Sequence, residues 1–259
     1  MFVGFNAQIK DIFSHNYYET GLSMFQRQKA IINSTLSEFI QNDGYISAAK
    51  LEESWFPSIS ADIFISHSHK DEKMAIGFAG WLFERFSITS FVDSCLWGYS
   101  NDLLSTVDQQ YCVSSRDANG NIKTYDYQKR NQSTAHVHML LNIALSKMID
   151  KTECLVFINT PNSLLPQSEI QNTSTGSPWI YQELMFSTLV RKRKLKEYRK
   201  MIVHDGIYGL SSLNVCYDVT LDHLVSLTDL DLSAMESIPS KIESYAVLDQ
   251  LYKRKGIIK

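Results

Sequence analysis

No apolar run in the 259-residue sequence approaches the ~20 residues that a membrane-spanning helix needs. The opening MFVGFNAQIKD lacks the basic, apolar and small-residue segments of a signal peptide. The four cysteines, Cys95, Cys112, Cys154 and Cys216, lie far apart and include no C-x-x-C pair. That spacing argues against a disulfide framework and against a cysteine-rich zinc site, and predicts reduced thiols in a cytoplasmic protein. Positive charge is not in excess either. The 25 Lys and Arg against 28 Asp and Glu give a formal net charge of −3, which excludes the usual profile of a general nucleic-acid binder. Walker and G-x-G-x-x-G loops are absent, and so is the H-E-x-x-H zinc motif.

The chain does hold enough apolar residues for a core, 44% against 20% charged, which suits one large domain or one domain with an extension. Over residues 17–42, Met24, Phe25, Ile31, Ile32, Leu36, Phe39 and Ile40 form a broad apolar stripe at helical spacing. Asn42-Asp43-Gly44 stops it, and a short helix over 47–55 ends before Pro57. Residues 1–60 therefore read as a helical N-terminal extension, and 61–259 as the main domain.

From Asp62 onward, strands alternate with helices. Ile63, Phe64 and Ile65 suit a strand buried on both faces, and residues 71–86 carry apolar residues at helical spacing. Gly77 and Gly80 weaken that helix but permit close packing. Residues 88–92 predict a second strand, and 154–158 (CLVFI) a third. Between them lies an insertion at about 97–132, with a short helix over 101–110 and a tight turn at Asn119-Gly120. Ser133 or Thr134 caps the next helix, and Pro178 opens another that runs to about residue 196. Val215, Tyr217 and Val219 alternate as a late strand, and Ser240 with Glu243 makes a capping box for a last helix. This alternation predicts an α/β fold, a parallel sheet with helices on both faces. Right-handed crossovers put all strand C-termini on one edge, where ligands bind. Ser66-His67-Ser68-His69, Asp93-Ser94 and Asn159-Thr160 fall there.

Three chemistries compete for that edge. His67, His69, His136 and His138 are the right residue type for zinc, but His136 and His138 stand about 200° apart on a helix, so only one can face a site. Ser66, Ser68, Lys70 and the first amides of the following helix are suited to an anion, while Ser68 or Asp71 is equally suited to capping that helix. Trp179 and Glu183 are four apart on one helix face, and a glutamate beside a tryptophan is a candidate for a raised pKa. Spacing alone favours an exposed Glu beside a core Trp. The basic run RKRKLKEYRK, residues 191–200, reads as a solvated helix end, with cations favoured there by the helix dipole.

Four stretches in order, DIFISHSHKDE, SFVDSCLWG, CLVFINTPNSL and SPWIYQEL, resemble the TIR (Toll/interleukin-1 receptor-like) domain of the bacterial, enzymatic kind. A narrower resemblance is to the TIR subunits of Thoeris antiphage systems. The resemblance implies a flavodoxin-like fold and cleavage of NAD+ at the nicotinamide-ribose bond, giving ADP-ribose or a cyclic isomer, with NAD+ as substrate and no cofactor or metal. It maps the catalytic glutamate onto Glu183, and Trp179 onto the family's tryptophan. Ser66, His67, Ser68 and His69 would line the substrate pocket. Asp93 and Trp97 would stand at its rim, and His138 would face it from the neighbouring helix. Tyr125-Asp126-Tyr127, Lys129 and Arg130 in the insertion suit either a ligand contact or a surface hairpin. Implied partners are further copies of the chain and a separate effector that reads the product, with neither membrane nor nucleic acid. Other TIR domains are non-enzymatic adaptors that act by assembly.

Overall fold

The computed structural model describes residues 1–11, 13–28, 59–165, 173–198, 217–218, 220–239 and 243–258. The chain begins with β1 (Val3–Gln8), α1 (Phe13–Asn16) and a further helical stretch over 18–28. Next come β2 (Ile63–Ser66), a 3-10 turn (His69–Asp71), α2 (Glu72–Phe86), β3 (Ser90–Val92) and α3 (Ser94–Tyr111). Then follow β4 (Val113–Arg116), β5 (Ile122–Tyr125), α4 (Tyr127–Lys151), β6 (Cys154–Ile158), β7 (Ser174–Thr175), α5 (Pro178–Leu189) and α6 (Leu195–Tyr198). The last elements are β8 (Tyr217–Asp218), β9 (Val225–Thr228), α7 (Asp229–Glu236) and α8 (Ser244–Arg254).

β2 and β6 are buried at every residue, as a strand covered on both faces must be. They lie inside a five-stranded sheet of order β3-β2-β6-β1-β9, flanked by helices. Every pairing in it is parallel, with Ile63 and Val3 both in register with Cys154. The expected flavodoxin-like architecture is present. β3, β2, β6 and β9 take the first, second, third and fifth places of the 2-1-3-4-5 order. The fourth place is filled from the N-terminus by β1.

That placement corrects the reading of residues 1–60 as a helical extension. β1 sits between β6 and β9, with Val3, Phe5 and Ala7 in the core. Its sequence, VGFNAQ, hides this, because Gly and Asn are poor strand formers. Here both have a local reason. Gly4 leaves room for Leu224, whose Cδ2 would lie 2.5 Å from an added Cβ. Asn6 Oδ1 accepts from Asn159 Nδ2 at 2.9 Å. The helical stretch over 18–28 then crosses α2 at a glycine pair. A Cβ on Gly21 would lie 1.9 Å from the Ile76 carbonyl oxygen, and one on Gly80 would lie 2.1 Å from that of Tyr17. Phe13, Phe78 and Trp81 pack beside this crossing with centroids 5.2–5.7 Å apart. The expected continuation of the helix to 42 and the short helix over 47–55 lie outside the described residues.

The stretch from 97 to 132 is regular rather than irregular. α3 begins directly after β3 and runs for 18 residues, so Trp97 is helical and not part of a loop. β4 and β5 form an antiparallel hairpin, turned by Gly120 at a φ of 85°. α4 starts at Tyr127, two turns before Ser133, because the Asp126 side chain accepts from Lys129 N at 2.9 Å. α5 ends at Leu189, well short of 196. The basic run beyond it is partly engaged internally. Lys192 Nζ donates to the Ser187 carbonyl at 3.0 Å, and Arg193 pairs with Asp150. β9 and α7, unforeseen in the sequence, close the sheet; Thr228 and Asp231 form the capping box of α7. α8 starts at Ser244 with Glu243 at its cap position, while Ser240 lies outside the described residues. Of the late strand, only Tyr217 and Asp218 are described; they pair with β7 and not with the central sheet.

Candidate functional site

The chain passes from β2 outward to β3 and then returns across β2 to β6, so the strand order reverses between β2 and β6. Ligand crevices of open α/β sheets form at the carboxyl ends of strands at such a point. Ser66 ends β2 there and His67 follows; both are completely buried. Asp93 follows β3 and is held level with them because its N–H donates to the Ile65 carbonyl at 3.2 Å. Although Asp93 stands at the cap position of α3, its carboxylate does not reach into the helix beyond the N–H of the adjacent Ser94. It turns toward β2 instead. Asp93 Oδ2 accepts from His67 N at 3.2 Å, and Oδ1 lies 2.5 Å from His67 Nδ1.

Glu183 arrives from α5. Ser177 starts this helix by accepting from Ile180 N at 3.3 Å, and Pro178 supplies a preset first turn. One turn further on, the Glu183 side chain points inward with no solvent exposure. Ser66 Oγ donates to Glu183 Oε2 at 2.5 Å, and the Glu183 and Asp93 carboxyl groups are near enough to shift each other's ionisation. Ser66, His67, Asp93 and Glu183 thus form one closed polar cluster within the core.

Its electrostatics follow from burial. Desolvation pushes the Glu183 carboxyl well above the ordinary glutamate range, and the neighbouring Asp93 charge pushes it further. Burial likewise raises Asp93, against hydrogen bonds from Glu183, His67 and Ser94 that favour its anion. His67 is driven down to about 4, chiefly by burial, so its imidazole is neutral at pH 7. The cluster can hold a carboxylic acid in a dry environment, a group that becomes a strong electrostatic partner for positive charge once ionised.

The remaining expected residues divide. Ser68 is nearly buried beside the cluster, whereas His69 is exposed in the 3-10 turn. Trp179 is half-buried one turn before Glu183, and His138 meets it with ring centroids 5.7 Å apart, while His136 is exposed. His138 therefore packs on Trp179, one turn of α5 away from Glu183. Trp97 lies in the first turn of α3, and its side chain is not among those described. Tyr125 and Tyr127 are exposed at the hairpin and the start of α4, which fits the surface-hairpin alternative. Among the described residues no three His, Cys, Asp or Glu side chains converge as metal ligands, and no helix is long and apolar enough to cross a membrane.

Two features of the edge had no sequence signal. Asp71 Oδ2 accepts from Thr160 Oγ1 at 2.5 Å and Oδ1 from Asn162 Nδ2 at 2.8 Å, tying the loops after β2 and β6 together. Further along, a cavity of about 600 Å³ opens at the ends of β6, β1 and β9, lined by Lys10, Asn159, Thr160, Leu164, Leu165 and Asp229 among others. Neither was legible, since both depend on β1 being in the sheet or on partners some 90 residues apart. Compared with family models, with curated proteins and with solved structures, this chain matches none.

Proposed function

We propose that this chain is a TIR-type NAD+ nucleosidase or ADP-ribosyl cyclase with Glu183 as its catalytic residue. One observation supports this above the others. The helix carrying Trp179 and Glu183 delivers the carboxyl group to the end of β2, into contact with Ser66 at 2.5 Å and with Asp93. Nicotinamide in NAD+ is a cationic leaving group, so the C1′–N1 bond breaks with its electron pair going to the ring and needs no general acid. The ribose passes through an oxocarbenium-like state, as in glycoside cleavage. An ionised Glu183 in a dry site stabilises that charge and binds the ribose hydroxyls. Water as nucleophile then gives ADP-ribose; a hydroxyl or adenine nitrogen of the same molecule gives a ring, favoured when water is excluded. NAD+ is the substrate, and the scheme calls on no cofactor. On this reading the protein acts in antiphage defence, through self-association and through a product read by a separate effector.

Complete burial of Glu183 favours a second reading, a scaffold that assembles without turnover. A measurement separates the two. Concentrated full-length protein is incubated with NAD+, and nicotinamide and its partner product are resolved by mass spectrometry, with Glu183→Gln alongside. Nicotinamide released by the unsubstituted protein and not by the variant is the expected result. Equal release by both moves the catalytic role elsewhere, and release by neither favours the scaffold.

A further inference from the structure

Two carboxyl groups with no solvent exposure, Asp93 after β3 and Glu183 in the middle of α5, are anchored on the consecutive residues His67 and Ser66 and act on each other's ionisation. Carboxylates only accept hydrogen bonds, so two of them can bond each other only with a proton on one. Glu183 Oε2 accepts from Ser66 Oγ, while the buried Glu183 Oε1 has no hydrogen-bond partner among the described residues. On the far side, Asp93 is fixed by His67, through its backbone N–H at 3.2 Å and its ring at 2.5 Å. The groups run in the order Ser66, Glu183, Asp93, His67.

We propose that Asp93 is a positioning residue for Glu183: the two share one proton in the closed cluster, and Glu183 becomes an anion only when the pair separates and that proton leaves to solvent. The proposal rests on the NAD+ reading only in its activity arm. The resting protein then holds its catalytic carboxylate neutral, and opening the site and ionising Glu183 are one event. Two neighbouring like charges cannot both persist in a dry site, so the pair titrates as a unit with two macroscopic steps. Other groups around it are accounted for. From α2 and the turn before it, Glu72 disfavours the Asp93 anion, and Glu72 and Asp71 act on His67. Asp71 is itself held by Thr160 and Asn162. From α3, the Ser94 N–H favours the Asp93 anion. From α5 and α4, the Trp179 and His138 rings meet at a tilt of 41°.

Carboxyl ¹³C NMR of the full-length protein tests the shared proton, with the two signals assigned by their loss in Glu183→Gln and Asp93→Asn. In the unsubstituted protein both signals should respond at both steps, and the Glu183 signal should titrate above the ordinary value of about 4.3. In Asp93→Asn its midpoint should fall by about one pH unit or more. The acid limb of kcat for nicotinamide release should move to lower pH with it. Two independent single steps, or an unmoved midpoint in a folded Asp93→Asn, overturn the proposal. If that variant fails to fold, the unsubstituted protein decides by the first criterion alone. A moved midpoint with an unmoved kcat limb overturns the positioning role. A moved midpoint with no nicotinamide release under any condition supports the shared proton and sinks the NAD+ reading instead.

Discussion

At the scale of single residues, the cluster around Glu183 stores charge groups that the fold would be more stable without. Asp93 and Glu183 have folded-state values above their unfolded ones. Their contribution is therefore fully present below about pH 4 and is lost as pH rises through the folded values. At pH 7 the pair destabilises the fold, so Glu183→Gln should raise the melting temperature there and leave it unchanged near pH 3. Each kcal/mol recovered corresponds to roughly 2–4 °C in a chain of this size. Unchanged melting at both pH values would show that burial costs this pair nothing. His67 works in the opposite direction. With a folded value of about 4, below the ordinary 6.5, its contribution is complete above pH 6.5 and falls away as pH drops toward 4. The full span is on the order of 3 kcal/mol. His67→Gln should flatten urea-unfolding stability between pH 4.5 and 6.5, whereas an unaltered slope would place the acid sensitivity elsewhere. A site that opposes stability at neutral pH is what function, rather than folding, retains.

At the scale of elements, the crossing of the 18–28 stretch over α2 depends on two residues that have no side chain. Gly21→Val puts a methine carbon where the Ile76 carbonyl oxygen is, and backbone cannot swing aside as a flexible side chain can. A loss of about 1–3 kcal/mol or more is expected in urea unfolding. Gly176→Ala serves as the control, since nothing lies within 4 Å of its added Cβ, and it should stay within about 0.5 kcal/mol. Similar losses from both would mean that the glycine pair is not a packing contact. The possibility of close packing at Gly80 was legible in the sequence, but its partner was not. The same division holds across the fold. β2 and β6 announce themselves as continuous apolar runs, and Trp179 with Glu183 as a four-residue spacing on one helix. β1 carries Gly4 and Asn6 for reasons that exist only once Leu224 and Asn159 are beside it. α3 begins at Ser94 without a side-chain cap because Asp93, the natural cap, is committed to His67. Local rules failed where a residue serves a distant partner, and the candidate site is where such residues gather.

At the scale of the whole molecule, the least strand-like segment occupies one of the most demanding places. β1 pairs with β6 on one side and β9 on the other, so removing it strips β6 of one of its two neighbours and leaves β9 without any sheet partner. The losses extend past the ladder. Met1 is fully buried, its amine donates to the Asp150 carbonyl at 3.0 Å, and its own carbonyl accepts from Arg193 N at 3.1 Å. Phe5 stacks on Tyr252 of α8, with centroids 6.1 Å apart, and Tyr252 in turn donates to Glu153 at 2.9 Å. Burial of Met1, Val3 and Phe5 is worth about 1.5–3 kcal/mol each. Together with the severed ladder this is comparable to the roughly 5–15 kcal/mol that separates a folded domain from its unfolded chain. Deleting residues 1–8 should therefore abolish cooperative unfolding, observed as loss of the thermal transition by circular dichroism. The same deletion should remove the cavity beside Lys10 and Asp229, but leave the sequence of the Glu183 cluster untouched. A truncated chain that still melts cooperatively would show that β6 and β9 can close the sheet without it, and that the fourth place in the order is optional.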